Sequence, residues 1–165
     1  MRDFWRRYRR NKGAVLGLVI LFLVILMAIL APVLFPGSPW DMVGAPFMPP
    51  GEMGLLLGSD SLGRDVAAGI AHGARISLLV GAVSTLAALL IGVTLGAVAG
   101  YLGGFADDAV MRFTEFFQTI PSFVLAILLV AIFNPSISSV VFAIAVVSWP
   151  PVARVVRAGF LSLRS

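Results

Sequence analysis

The stretch Ile76 to Gly100, ISLLVGAVSTLAALLIGVTLGAVAG, runs for 25 residues without a charge. At about 1.5 Å of rise per residue, a helix of that length crosses a hydrocarbon core of about 30 Å with some tilt. Small residues recur at every fourth position: Ser84, Ala88, Gly92, Gly96 and Gly100. That spacing sets them in one row along a helix. In lipid, packing rather than water exclusion drives helix association, so such a row lets a second helix approach closely. Glycine is also simply common in membrane helices. Five small residues in register favour the packing role, and the segment is expected to be a central helix against which other spans are built.

Composition agrees with a membrane class. The chain has 165 residues, 59% of them hydrophobic and 12% charged, against about 25% charged in soluble domains. Its length accommodates about four spans with loops. Cysteine is absent and histidine occurs once, which leaves no disulfide framework and little from which to build a zinc or copper site. The net charge of +4 is not a nucleic-acid footprint, because the basic residues sit mainly at the chain ends, where membrane topology accounts for them.

Residues 1–13, MRDFWRRYRRNKG, carry Arg2, Arg6, Arg7, Arg9, Arg10 and Lys12 around Trp5 and Tyr8. A basic segment before an apolar span stays in the cytoplasm, and its aromatics and arginines suit an anionic headgroup layer. A signal peptide fits less well, since the apolar run is too long and no small-x-small cleavage site stands out. Ala14 to Phe35 is the first span, with Pro32 near its outer end and Pro36-Gly37 as its stop. The segment Ser38 to His72 is rich in proline and acids. Within it, Ser59, Asp60 or Ser61 is expected to cap a short helix on the outer membrane surface. Leu62, Val66 and Ile70 share one face of that helix, which leads through Gly73-Ala74-Arg75 into the second span. Asp60, Arg64, Asp65 and Arg75 are either a site or, more commonly for such sets, solvated charges with local salt bridges.

After Gly100, glycine ends the helix and Asp107-Asp108 mark water. Met111 to Phe117 is expected to be helical, with Arg112 and Glu115 near the interface. Phe113 to Phe133 reaches spanning length, loosened at Pro121. Asn134-Pro135-Ser136 is a tight turn. Ile137 to Trp149 descends again, Pro150-Pro151 interrupts it, and Val152 to Leu163 continues to a cytoplasmic side marked by Arg154, Arg157 and Arg164. This topology places ten of the twelve Lys and Arg inside and only Arg64 and Arg75 outside. That is an orientation signal for both termini inside and four crossings.

Catalytic sets are missing. The serines and threonines near the spans lack a base at helical spacing, His72 is alone, and no glycine-rich phosphate loop occurs. No acid or arginine lies mid-span, as a proton or ion pathway would require. The chain is expected to be no enzyme and to hold no cofactor. If it moves a solute, the energy comes from another subunit.

The segments LGSDSLGRD (Leu57 to Asp65), GARISLLVG (Gly73 to Gly81), GYLGGFAD (Gly100 to Asp107), the pair Met111-Arg112, and NPSIS followed by SWPPVARVVRAGFLSLRS resemble the type C permease of bacterial dipeptide, oligopeptide and nickel ABC importers. The resemblance covers nearly the whole chain and singles out Gly58, Asp60, Leu62, Gly63, Arg64, Asp65, Gly73 and Arg75 as its outer motif. On the cytoplasmic side it takes in Asp107, Arg112, Arg154 and Arg157. It implies an all-α polytopic membrane protein with the type I ABC importer permease fold, four of the family's six transmembrane helices being present. Residues 1–55 are then the basic segment, first span and start of the outer loop, residues 56–73 an outer interfacial segment, and residues 74–165 a partial permease domain. The implied partners are a homologous second permease, two cytoplasmic ATPases, an extracytoplasmic solute-binding protein and membrane lipid, in a bacterial inner membrane. The family chain continues beyond the position of Ser165 into an ATPase-docking loop and two further spans. The expectation is therefore a C-terminally truncated permease subunit for peptides or related small solutes. The alternative is a non-transporting anchor or regulatory fragment derived from one.

Overall fold

The computed structural model describes residues 8–164, the last of them by its backbone alone. The predicted lipid contacts of Arg2, Trp5, Arg6 and Arg7 lie outside the described residues, and so does the side chain of Arg164. Among the described residues, five complete α-helices follow one another: α1 (Lys12–Leu34), α2 (Val66–Leu102), α3 (Gly104–Thr119), α4 (Ser122–Ile132) and α5 (Ile137–Arg164), with one 3-10 turn at Glu52–Gly54. Two isolated bridges, Met42 with Arg64 and Ser59 with Asp65, are the β-pairing among the described residues. Helices α1, α2 and α5 are each long and apolar enough to cross a membrane, and α3 with α4 forms a fourth such element bent by 82°. The chain divides into two compact units, one up to Leu78 and one from Leu79 onward.

In the first unit, Asn11 starts α1 by accepting a hydrogen bond from the Ala14 amide at 3.2 Å, which satisfies one of the amide donors left free at a helix start. The helix ends where the Phe35 amide donates to Ala31 O at 2.9 Å, just before Pro36-Gly37. Pro32 lies inside it, two residues before the end, and its ring leaves the Ala28 carbonyl without its helical donor. Residues 35–65 form a knitted loop. Ser59 Oγ donates to Ala45 O at 2.6 Å and accepts from the Met48 amide at 2.8 Å, while the Val43 amide donates to Gly63 O at 2.9 Å.

The predicted surface helix beginning at Ser59 to Ser61 does not form. Asp60 uses its capping chemistry on a turn: Oδ1 accepts from the Leu62 and Arg64 amides at 2.8 and 3.0 Å. Gly63 then adopts φ +74°, a conformation that breaks a right-handed helix. The helix starts instead after Asp65, whose Oδ1 accepts from the Ala67 amide at 2.8 Å. Leu62 is therefore a loop residue and shares no helical face with Val66 and Ile70. Nor does Gly73 separate a surface helix from a span, since α2 runs unbroken for 37 residues. One interior glycine costs about 1 kcal/mol relative to alanine, too little to break a ladder continued on both sides.

In the second unit, α2 and α5 run parallel. Ser84 Oγ donates to Val141 O at 3.3 Å. Further on, Gly92 faces Trp149 and Val152, Gly96 faces Ala153 and Val156, and Gly100 faces Arg157 and Phe160. Both residue numbers rise together over some sixteen residues, about 24 Å of axis. Two successive parallel helices require the chain between them to travel back the same distance. The α3–α4 pair makes that return, and so counts as a broken crossing rather than a dip into one face.

The break is sharper than a loosened end. Ile120 is extended (φ −89°, ψ 130°) ahead of Pro121, as the ring clash with the preceding residue demands. The double proline of α5 behaves in the opposite way, for Pro150-Pro151 does not interrupt the helix. Those rings remove two amides and leave the carbonyls of Val146 and Val147 without their helical donors. Pro150 is fully buried beside Trp149 and Ala153, which form a core with Ala88 of α2, joined by Leu95 and Phe117. Packing on several sides holds the helix through a sequence that would end it in isolation. At the turn between α4 and α5, Ser139 Oγ donates to Asn134 O at 2.7 Å and the Ser136 amide donates to Ser139 Oγ at 2.9 Å.

Candidate functional site

The row Ser84, Ala88, Gly92, Gly96 and Gly100 is buried along its whole length, and its glycines touch α5 backbone to backbone. A Cβ on Gly92 would stand 2.6 Å from Val152 Cβ and 2.8 Å from Trp149 O. On Gly96 it would stand 2.4 Å from Ala153 O, and on Gly100 2.5 Å from Phe160 Cβ. Only hydrogen fits at such separations, which is how small residues let two helices close on each other. Beside the seam, Trp149 stacks on Phe113 with centroids 5.7 Å apart and meets Phe117 edge-on at 5.4 Å. These aromatics tie α3 to the same face of α5.

The seam ends in charge. Both carboxylate oxygens of Asp107, in the first turn of α3, accept from the guanidinium of Arg157 on α5 through Nε and Nη2. The pairing is bidentate and half-buried, a geometry in which arginine and carboxylate are strongest. Arg157 thus does more than mark one side of the membrane, because its length reaches an acid fifty residues earlier in the chain. Sequence spacing carried no sign of that contact. Arg112 and Arg154 are exposed and stand outside this pair.

The outer-motif residues do not come together as one site. Asp60 and Arg64 form an ion pair at 2.7 Å, and the Arg64 guanidinium lies 5.3 Å over the Trp40 ring. The Arg64 backbone amide, then its side chain, holds the Asp60 carboxyl below its ordinary range. Asp65 caps α2. Gly58 and Gly63, both at positive φ, let the Met48 and Gly44 carbonyls come within 2.2 Å of where a Cβ would be. Gly73 is an open helical position. Arg75 lies almost three turns beyond Asp65 along α2, at a separate apolar groove between α1 and α2. Sequence reading missed the clasp of residues 42–48 by residues 58–65. Its available signal was the pair Gly58 and Gly63 flanking a turn-forming Asp60. Among the described residues, no group of three or more His, Cys, Asp or Glu could hold a metal ion.

An all-α arrangement of apolar helices, locked by a glycine seam and a terminal ion pair, defines a multi-pass membrane protein. Residues 1–50 match the N-terminal TM domain of oligopeptide transport permease C, and residues 92–165 match the binding-protein-dependent transport system inner membrane component. The chain belongs to this family of inner-membrane permease components. It is 36% identical to the dipeptide transport system permease protein of Haemophilus influenzae, over 98% of this chain and 57% of that protein. To the dipeptide transport system permease protein of Escherichia coli it is 41% identical, over 98% of this chain and 56% of that one. The glutathione transport system permease protein of Pectobacterium atrosepticum is 39% identical, over 99% of this chain and 54% of its own length. The chain spans about half the length of the curated relatives it matches.

Proposed function

We propose that the chain forms part of the translocation path of an ATP-driven importer for peptides or related small solutes, as a permease subunit. The observation that carries this reading is the alignment of 98–99% of the chain with transport permease proteins. The parallel α2–α5 seam supports it, because a solute path needs helices held in fixed register across the bilayer. Family membership suggests assembly with a homologous second permease, two ATPases and a solute-binding protein. In this reading residues 1–55 are the basic segment, first span and start of the outer loop, residues 56–73 the outer interfacial segment, and residues 74–165 part of the permease domain. The small-residue row is the packing seam, and Asp107 with Arg157 joins helices at the cytoplasmic end. The excess of Lys and Arg at the two ends supports a cytoplasmic N-terminus, with residues 38–72 outside.

A chimera tests the function. The aligned half of the E. coli dipeptide permease protein is replaced by this chain and expressed with that system's other components in a strain lacking the native permease. Uptake of a labelled dipeptide, abolished by Gly96→Leu, is the expected result. A chimera that inserts and assembles at native levels yet takes up no dipeptide, glutathione or other small solute refutes the reading.

A further inference from the structure

The groove between α1 and α2 has an amphipathic character that neither the seam nor the transport reading uses. It is an open cavity of about 300 Å³ lined by Ile25, Ala28, Ile29 and Pro32 of α1, and by Arg75 and Leu78 of α2. Ala28 is small and buried, so the floor is low, and every side chain in the lining except Arg75 is apolar. Arg75 is exposed. Among the described residues its guanidinium has no carboxylate or hydrogen-bond partner. A cation left unpaired beside a membrane-spanning segment requires an anion or water within its reach.

The depth of Arg75 follows from a neighbouring contact. His72 Nε2 lies 3.2 Å from the carbonyl of Phe35, the residue that ends α1. Arg75 is three residues further along α2, about 4.5 Å of axis inside that end. Its long side chain therefore reaches the headgroup level while its stem stays among apolar groups. From there the trough follows α1 from Pro32 to Ile25, about 10 Å toward the bilayer centre.

We propose that this groove is a binding site for one anionic phospholipid, its phosphate on the Arg75 guanidinium and one acyl chain in the trough. The charge and shape together select this occupant. A planar guanidinium matches a phosphate in two-point fashion, and the trough below it offers no polar group to anything but hydrocarbon. A zwitterionic lipid carries a competing cation beside its phosphate, and a neighbouring helix would need to bring an acid to Arg75. The site rests on α1 and α2 lying in the bilayer and not on the transport reading, so its test is a binding measurement and not uptake.

The chain is purified from phosphatidylcholine nanodiscs doped with phosphatidylglycerol, and retained lipid is counted by native mass spectrometry. Wild type should keep one phosphatidylglycerol in preference to phosphatidylcholine, and Arg75→Gln should weaken that retention about tenfold or more. Arg75→Lys should restore part of it, and Arg64→Gln, on the loop, should change nothing. Ile29→Trp fills the trough with the charge intact and should expel the lipid as well, which separates the site from a simple surface attraction. Excess inorganic phosphate should not displace the lipid. Equal retention by wild type and Arg75→Gln, or equal retention of the two lipids by wild type, overturns the proposal. So does an acidic residue of a partner subunit cross-linking to position 75 in lipid-replete membranes.

Discussion

Replacing Gly96 by alanine tests the seam with the smallest possible change. The added Cβ would lie 2.4 Å from Ala153 O, 2.9 Å from Val156 Cβ and 3.0 Å from Ala153 Cα, where ordinary contact begins at 3.4 Å. Two of those three atoms are backbone and the third is a Cβ fixed to it, so no side chain can rotate away. The helices must part by about 1 Å, which forfeits a quarter to a half of the attraction between the atoms that line the seam. The expected cost is about 1–3 kcal/mol. The same substitution at Gly81, on the same helix, meets nothing within 4 Å. There alanine should stabilise by up to about 1 kcal/mol through helix propensity. One chemical change thus acquires opposite signs at two positions fifteen residues apart. Reversible unfolding in mixed micelles, followed by Trp149 fluorescence with Trp5 and Trp40 replaced by Phe, measures both. A Gly96→Ala variant as stable as Gly81→Ala would refute the close-approach argument.

Three further outcomes are expected. With cysteine introduced singly at the exposed positions Ser61 and Asp108, an impermeant thiol reagent applied to intact cells should label Ser61→Cys and spare Asp108→Cys. The reverse pattern inverts the topology. Neutralising Asp107 to Asn should loosen α3 from α5, detected as faster amide exchange around Phe113 and Trp149, and exchanging the charges (Asp107→Arg with Arg157→Asp) should restore most of the protection. Unchanged exchange in the single variant would show that the aromatic contacts alone hold the helices together. Because Arg64 holds the Asp60 carboxyl below its ordinary range, its contribution to loop order is complete above the usual aspartate value and is lost as pH falls through the lower folded value. Trp40 fluorescence, which reports the Arg64 guanidinium above the ring, should therefore be flat from neutral pH down to about 4.5 and change only below. A transition near neutral pH would contradict this.

The sequence determined by itself that this is a helical membrane protein, because uncharged runs long enough to cross a bilayer admit few other folds. It also carried the stop at Pro36-Gly37 and the turn at Asn134-Pro135-Ser136, and it marked Pro121 as a loosening though not as the full break, all local effects of rings and glycines on their own dihedrals. Only the tertiary structure decided what depends on distant neighbours. Gly63 diverted the Asp60 cap into a turn because residues 42–48 were there to be clasped. Pro150-Pro151 stayed helical because Trp149 and Ala153 are held by α2. Arg157 found Asp107, and the row from Ser84 to Gly100 found α5 as a parallel neighbour, across fifty or more residues of chain. Spacing along one helix tells which residues share a face. What that face meets is set by the packing of the other helices, and no local pattern encodes it.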